Sequence, residues 1–275
     1  MQKTPSTAPT TKCILKNTFC TYTFVRLQIR FNIAKFRQAS ESIIKYINNS
    51  FYEGNDMSTI SKEYKYLNRY TSKQHLLDTL KYKRLTLLDP RNWEDTNDSY
   101  FLELYKQCTK SKTMLALCFT EYEYDKYQYW KIYARKIEGV CIRFDKEKLI
   151  KCFDNVTLSG ISYNKVDYKT LSELKKNKHL RCADLPFIKR KAFQDEKEFR
   201  FIFESNNEAI TNKHVFIGLN CILQITFNPW IDKSTFQSIS TEIREIEGCE
   251  NIKIRQTRII NYKEWKKVGE SIACL

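Results

Sequence analysis

Residues 194–203, with the sequence QDEKEFRFIF, alternate between charged and apolar side chains. In a β-strand, successive side chains point to opposite faces, so the pattern predicts a strand with two unlike faces. One face carries the three phenylalanines Phe199, Phe201 and Phe203. The other face carries Glu196, Glu198 and Arg200. The phenylalanine face is expected to anchor a hydrophobic core, and the charged face is the first candidate site of the chain.

The charged face has two interpretations. Glu196, Glu198 and Arg200 could form a structural ion-pair network, or they could form a catalytic edge on rigid backbone. Two carboxylates spaced by two residues repel each other, so one of them should have a raised pKa unless Arg200 or a nearby lysine compensates. Separated pKa values are how an acid/base pair is built. The pattern alone leaves both interpretations open.

The composition is that of a globular protein with an excess of positive charge. Of its 275 residues, 42% are hydrophobic, and 47 basic against 32 acidic residues give a net charge of +15. Such a field attracts polyanions, so RNA or DNA is the natural partner, and an anionic membrane surface is the second. The plainer interpretation is that the lysines only confer solubility.

Several classes of function are disfavoured by what the sequence lacks. With six glycines, a phosphate-binding glycine loop is nearly excluded, and no zinc-protease or α/β-hydrolase motif occurs. The ten cysteines form no C-x-x-C pair and the chain has three histidines, so no metal is expected and the thiols indicate a reducing cytoplasm. No apolar run is long enough to span a bilayer. A carboxylate-based, metal-dependent nuclease stays possible.

The chain divides by composition near residue 56. Residues 1–40 hold seven basic and no acidic side chains, which predicts a basic, partly flexible extension at 1–56. It has the character of a transit peptide, or it results from an upstream start codon. Residues 57–275 alternate irregularly between helical and strand patterns. This predicts an α+β fold, with a mixed or antiparallel sheet flanked by helices in a single main domain.

The predicted elements follow from periodicity and from capping residues. Helices are expected at Ser72–Leu80, Asp98–Lys110, Tyr124–Ile137, 169–181 and Thr235–Glu247. Strands are expected at Arg84–Leu88, Thr113–Phe119, Val140–Phe144, Val156–Tyr163, 196–204, Cys221–Phe227 and Ile252–Arg255.

Three other segments contain candidate ligand-binding residues. Arg69 and Tyr70 precede a helix, where the guanidinium could grip a pyrophosphate while the ring stacks on a base; the alternative is a surface Arg beside a cap. Asp95 lies in an acidic loop after a strand, where it either lines a site or only holds a turn. Trp130 and Tyr133 are both candidates for binding a cofactor or substrate. Trp130 is also expected in the core, whereas Tyr133 lies on another side of the helix and could reach a ligand; the alternative is packing.

These segments together resemble a bacterial family catalogued as domain of unknown function 2971. The resemblance spans about 64–260. It is carried by Arg69-Tyr70, Pro90 to Asp95, Cys118 to Thr120, Trp130 to Ala134 with Gly139 to Phe144, and Phe193 to Arg200. The chain departs from the family in having Trp93-Glu94-Asp95 where Phe-Asn-Asp is commoner, and the resemblance does not cover the first 56 residues.

The chain also resembles, more remotely, the ADP-ribosyltransferase toxins. The resemblance implies that NAD is a substrate, that Arg69 binds it, and that Tyr70 or Tyr133 stacks on the nicotinamide. It implies that Glu198 contacts the ribose and that Glu196 orients the acceptor. A nucleic-acid acceptor, a role as a toxin or in phage defence, and an antitoxin or defence-system partner would follow.

The alternative function is a nucleic-acid binder in which the Glu/Arg strand is structural. Lysines at 165–181 and 189–191 would then contact phosphates, and aromatic rings would stack on bases. A variant of this class is a metal-dependent nuclease, in which Glu196, Glu198 and Asp95 hold a divalent ion.

Overall fold

A mixed β-sheet organises the part of the chain described by the computed structural model, which comprises residues 64–134, 139–154 and 160–273. Within these ranges nine strands form one sheet, in which all strand pairs but one are antiparallel. The predicted α+β fold with a mixed sheet is confirmed. The predicted extension at 1–56 lies outside the described residues.

The elements have the following bounds. The strands are β1 (Tyr66–Ser72), β2 (Arg84–Leu88), β3 (Thr113–Thr120), β4 (Gly139–Asp145), β5 (Ile161–Lys165), β6 (Asp167–Lys169), β7 (Ile188–Arg190), β8 (Glu198–Ser205), β9 (Asn212–Phe216), β10 (Ile222–Phe227) and β11 (Lys253–Gln256). The helices are α1 (Lys73–Tyr82), α2 (Thr96–Thr109), α3 (Tyr127–Ile132), α4 (Lys146–Asp154), α5 (Leu171–Lys176), α6 (Lys233–Arg244) and α7 (Lys263–Ile272). The main sheet has the order β11-β10-β4-β1-β3-β2-β9, and in addition β8 pairs with β3 and β5 pairs with β8. Its parallel pair is β10 with β11. Strands β6 and β7 pair separately, in parallel.

Strand β8 lies between β3 and β5 and has the two unlike faces that its sequence predicts. Its three phenylalanines are buried in the main core cluster: Phe199, Phe201 and Phe203. Its other face, with Glu198, Arg200 and Ile202, is covered by α2 and the residues beside it, since Ile202 packs in one cluster with Leu102 of α2. The charged side chains therefore lie under a helix rather than in open solvent.

The edge of β3 that faces away from β8 changes partner along its length. Near its end it pairs with β1 through Asn68 and Thr120, and further back it pairs with β2 through Leu88 and Ala116. The Asn68 side chain donates to the carbonyls of Thr120 and Tyr122 and ties β1 to the end of β3.

Three predicted elements have bounds that differ from the structure in a way that bears on the site. The strand expected from 196 begins at Glu198, because Lys197 adopts a left-handed conformation at φ 42° after a 3-10 turn over Lys191–Glu196. The helix expected at 169–181 covers only Leu171–Lys176. Of the helix expected from Tyr124, the structure has Tyr127–Ile132.

The close approach of α3 to β4 depends on Gly139. A Cβ atom at this position would lie 2.6 Å from both the Cβ and the carbonyl oxygen of Ala134. Because that separation is far inside van der Waals contact, only glycine fits without a shift of backbone. Gly139 thereby lets the end of α3, with Tyr133, settle against the sheet.

Membrane insertion has no candidate element in the described ranges. There, every helix is too short or too polar to cross a bilayer.

Candidate active site

Arg200 lies at the centre of the charged face and is fully buried. Its Nη1 and Nη2 donate to Asp98 Oδ1 and Oδ2 at 2.9 and 2.7 Å. Its Nε and Nη2 donate to the two carboxylate oxygens of Glu198 at 2.7 and 2.9 Å. Nη1 also donates to the carbonyl of Pro186 at 2.8 Å. These five bonds match the five N–H donors of a guanidinium, so Arg200 has no donor left for a ligand.

Glu198 is held as a carboxylate by this network. Burial opposes its ionisation, but the charge and hydrogen bonds of Arg200, together with Lys189, lower its pKa to about 2. The compensation that the sequence left open is therefore present. Glu198 is ionised at neutral pH and has no proton to donate as a general acid.

Lys189 joins three carboxylates. Its Nζ lies 2.6 Å from Glu196 Oε2, 3.4 Å from Glu198 Oε2 and 3.4 Å from Asp98 Oδ2. Burial disfavours its charge, but the three carboxylates outweigh burial and raise its pKa. Lys189 is thus a fixed cation that draws Glu196 against Glu198 although the two residues are in different elements.

Glu196 is the carboxylate of this group that reaches solvent. Its side chain is 20% exposed, against 7% for Glu198. Its Oε1 accepts a hydrogen bond of 2.8 Å from the Tyr133 hydroxyl, and Tyr133 itself is 43% exposed. Burial and the neighbouring Glu196 raise the pKa of Tyr133, so the phenol stays protonated and donates. Tyr133 and Lys189 together hold Glu196 at the rim of the network.

The backbone around Glu196 is anchored by hydroxyl groups from four other positions. Thr120 Oγ1 donates to the carbonyl of Glu196 at 2.6 Å, and Tyr122 and Tyr129 both donate to the carbonyl of Asp195. The amide of Glu198 donates to the Tyr168 hydroxyl at 2.9 Å. A segment fixed at successive peptide groups keeps its carboxylates in one place, which a catalytic group requires.

Trp130 and Tyr70 form an aromatic packing beside this segment. Trp130 is fully buried, and the Tyr70 ring meets it edge to face at 5.0 Å. Tyr70 also contacts Tyr129, whose ring lies 5.6 Å from that of Tyr133. The expected core position of Trp130 is confirmed. Tyr70 is thus connected to Tyr133 through the Tyr129 ring, and the structure places neither Tyr70 nor Trp130 against Glu196.

Arg69 is not brought together with the carboxylate cluster. Alternation along β1 puts Asn68, which pairs with Thr120, on the face of Glu198, and therefore puts Arg69 on the other face. Its Nη1 donates to the carbonyl of Cys118 at 3.3 Å. Its guanidinium lies 6.0 Å from the centre of the Phe119 ring, and burial lowers its pKa.

Asp95 lies at the start of α2, where its Oδ1 accepts from the backbone amides of Asn97 and Asp98. It caps the helix whose Asp98 binds Arg200, so it affects the site indirectly, by fixing the start of that helix. Trp93, in the same loop, covers the Arg200 guanidinium at 5.0 Å. Asp95 does not share Lys189 with the other carboxylates.

Sequence reasoning missed Asp98 and the role of Lys189. Asp98 was expected only as a helix start, and Lys189 only as part of a basic stretch. One signal was available: a strand that buries an Arg must supply it with carboxylates from another element, because an unpaired buried charge is costly. The acidic segment between a predicted strand and a predicted helix contains Asp98 and could have been chosen as the source of such a carboxylate.

These observations can be set beside known proteins. The family model described as protein of unknown function (DUF2971) matches residues 129–201. The expected resemblance is confirmed over those residues. The matched stretch contains Tyr133, Lys189, Glu196, Glu198 and Arg200. The other segments on which the resemblance rested, from Arg69 to Thr120, lie outside it.

Structural similarity extends further but is weak. Thermus sp. 2.9 DarT in complex with NAD+ has a TM-score of 0.36 and 8% sequence identity, over 73% of this chain and 98% of DarT. No curated protein is significantly similar to this chain in sequence. The side chains of the site itself must therefore carry the functional argument.

Proposed function

We propose that this chain is an NAD-using enzyme of the ADP-ribosyltransferase type that modifies nucleic acid. The observation that carries the proposal is the placement of Glu196. It is a solvent-reaching carboxylate, held from two sides by Tyr133 at 2.8 Å and Lys189 at 2.6 Å, beside a buried ionised Glu198. A fixed anion of this kind suits a reaction whose transition state develops positive charge.

The reaction would proceed at the ribose carbon that bears nicotinamide. The C–N bond breaks and its electron pair leaves with nicotinamide, so positive charge develops on the ribose. Glu196 stabilises that charge and accepts a hydrogen bond from a ribose hydroxyl. A nucleophile of the acceptor then forms the new bond to the same carbon and gives up its proton to the Glu196 carboxylate, which acts as the general base.

We assign different roles to the two glutamates from those that the resemblance implies. Glu196 would touch the substrate, since it is the more exposed and has the weaker set of internal partners. Glu198 and Asp98 would be positioning residues that keep Lys189 charged and fixed, and Arg200 would hold these two carboxylates in place. Arg69 would bind the dinucleotide only if the ligand reaches the other face of β1.

The net charge of +15 supports a nucleic-acid acceptor. Modification of nucleic acid would harm the cell that makes the enzyme. We therefore propose a role as a toxin or antiviral effector, with an antitoxin or defence-system partner.

A second candidate is a nucleic-acid-binding protein whose Glu/Arg strand is structural, and the saturated, buried Arg200 favours it. The nuclease variant has less support. Lys189 already lies where a shared cation would lie, and in the described ranges no three His, Cys, Asp or Glu side chains are grouped so as to hold a metal.

One experiment separates these candidates. Purified protein is incubated with NAD labelled in its adenylate half and with single-stranded DNA, duplex DNA or RNA. Transfer is supported if wild type labels the nucleic acid and Glu196→Gln does not. The control is Glu264→Gln, which changes an exposed carboxylate of α7. Salt-sensitive binding without transfer supports the binding protein. Cleavage that requires Mg²⁺ supports the nuclease.

A further inference from the structure

A cavity of about 520 Å³, partly open to solvent, lies beside Lys189. The first turns of α2, the β6–β7 pair and α5 line it, and Lys189 and Asp98 belong both to its wall and to the carboxylate cluster. The volume is in the range of small-molecule sites. Glu196 and Tyr133 do not line this cavity, so it is a distinct space from the proposed reaction centre.

The cavity is lined by two cations that lie outside the ion pairs of the described residues. Arg190 and Lys191 line it and are exposed, and neither forms an ion pair with a carboxylate in those residues. Lys191 does act on Glu173 from a greater distance: hydrogen bonds from Thr170 lower the pKa of Glu173, and the charge of Lys191 adds to that effect. Lys169, which also lines it, is paired with Asp167 at 2.8 Å. Two adjacent cations that form no ion pair in the described residues, one of them an Arg able to bind two oxygens at once, suit a phosphate group.

An unsatisfied acceptor lies in the opposite wall. Asp95 Oδ1 is fully engaged in capping α2, but Asp95 Oδ2 is buried and has no hydrogen-bond partner in the described part of the chain. A buried acceptor left without a donor is unfavourable. A hydroxyl or amine of a ligand would supply the missing donor once a small shift of the neighbouring side chains exposes Oδ2 to the cavity, with Oδ1 still on its capping amides.

The remaining wall is apolar. Phe101 of α2, Leu174 of α5 and Ile188 of β7 face the same cavity. Phe101 offers a ring against which a planar group can pack. A ligand that satisfies all three walls must combine a planar apolar part, a hydrogen-bond donor and an anionic group.

We propose that this cavity binds a mononucleotide. Its phosphate would lie on Arg190 and Lys191, a sugar hydroxyl or base amine would donate to Asp95 Oδ2, and the base would pack on Phe101. The proposal does not depend on the transfer chemistry, because Glu196 takes no part in it.

The test uses isothermal titration calorimetry on the full chain with AMP, adenosine and inorganic phosphate as separate probes. The double variant Arg190→Gln/Lys191→Gln is compared with Lys175→Gln/Lys176→Gln, which removes the same charge from α5 outside the cavity. The first variant should weaken AMP at least about 10-fold, whereas the second should leave AMP unchanged. Equal weakening in both variants would show only a general charge effect and would overturn the proposal.

Two further variants test the Asp95 contact and the independence of the cavity from Glu196. Asp95→Asn still caps a helix, so the fold is expected to persist, and it should weaken AMP and adenosine but not inorganic phosphate. Glu196→Gln should bind AMP at least as tightly as wild type does, because it only removes a negative charge from beside Lys189. Absence of AMP binding by wild type, or AMP bound no more tightly than phosphate alone, would contradict a nucleotide site. Loss of AMP binding in Glu196→Gln would contradict its independence from the reaction centre.

Discussion

The Tyr133 hydroxyl donates a hydrogen bond of 2.8 Å to Glu196 Oε1, across 63 positions of sequence. The bond connects the end of α3 to the 3-10 turn before β8, and both partners reach solvent. It is therefore a contact that a substrate could meet directly.

Tyr133→Phe should lower kcat for NAD turnover about 10-fold, because one hydrogen bond to a charged group is lost from the proposed transition state. KM and the melting temperature should change little, since the ring and its packing remain. Tyr127→Phe on the same helix is the control, as its ring contacts Trp230 and not Glu196. Equal kcat values for the two variants would show that the Tyr133 hydroxyl has no catalytic part.

Arg200→Met should destabilise the fold severely. It leaves Asp98 and Glu198 as buried carboxylates without their guanidinium, which typically costs about 3–5 kcal/mol. Arg255→Met is the matched control, because Arg255 is 43% exposed and pairs with Asp125 at 3.4 Å; such pairs contribute about 0–1 kcal/mol. Urea unfolding measures both, and similar losses for the two variants would refute the central role given to Arg200.

The ionised Glu198 predicts a pH dependence of stability. Its folded pKa of about 2 lies below the ordinary value of 4.5, so the unfolded chain binds more protons between these values. The stabilisation is complete above about pH 4.5 and is lost as the pH falls towards about 2, by roughly 3 kcal/mol in total. Unfolding free energies at about pH 5, 4 and 3 should fall more steeply for wild type than for Glu198→Gln. Parallel slopes would mean that Glu198 titrates normally in the folded protein.

Two glycines offer a matched test of the α3–β4 contact. Gly139→Ala places a Cβ 2.6 Å from Ala134 and should destabilise by about 1–3 kcal/mol through overpacking. Gly269→Ala, in the exposed helix α7, meets no atom within 4 Å and should stabilise by about 0.5–1 kcal/mol. Thermal unfolding gives the sign of each change, and a neutral Gly139→Ala would contradict the close approach.

Much of the fold could be predicted because its signals are local. Alternation identified the core face of β8, and Ser72 as a cap placed the start of α1, where its side chain accepts from the His75 amide. The exact start of β8 could not be predicted, because a left-handed Lys197 has no strong sequence signature. The one-residue change of direction there separates Glu196 from the strand.

The site was harder to predict than the fold, because its contacts join residues from separate parts of the sequence. Glu196, Glu198 and Arg200 were recognised as a charged group from their spacing. Their partners Asp98 and Lys189 come from elements about 100 and 10 residues away from Arg200. Pairings over such distances follow from tertiary packing. That packing also decided which glutamate remains exposed.

The central claim is that Glu196 acts on NAD, and the release of nicotinamide tests it most directly. NAD and the nucleic-acid acceptor are incubated with wild type, with Glu196→Gln or with Glu264→Gln, the three proteins having matched melting temperatures. The nicotinamide released is then quantified by chromatography. The account predicts release by wild type and by Glu264→Gln, and a rate at least about 100-fold lower for Glu196→Gln. No release by wild type, or release by Glu196→Gln at the wild-type rate, would contradict it.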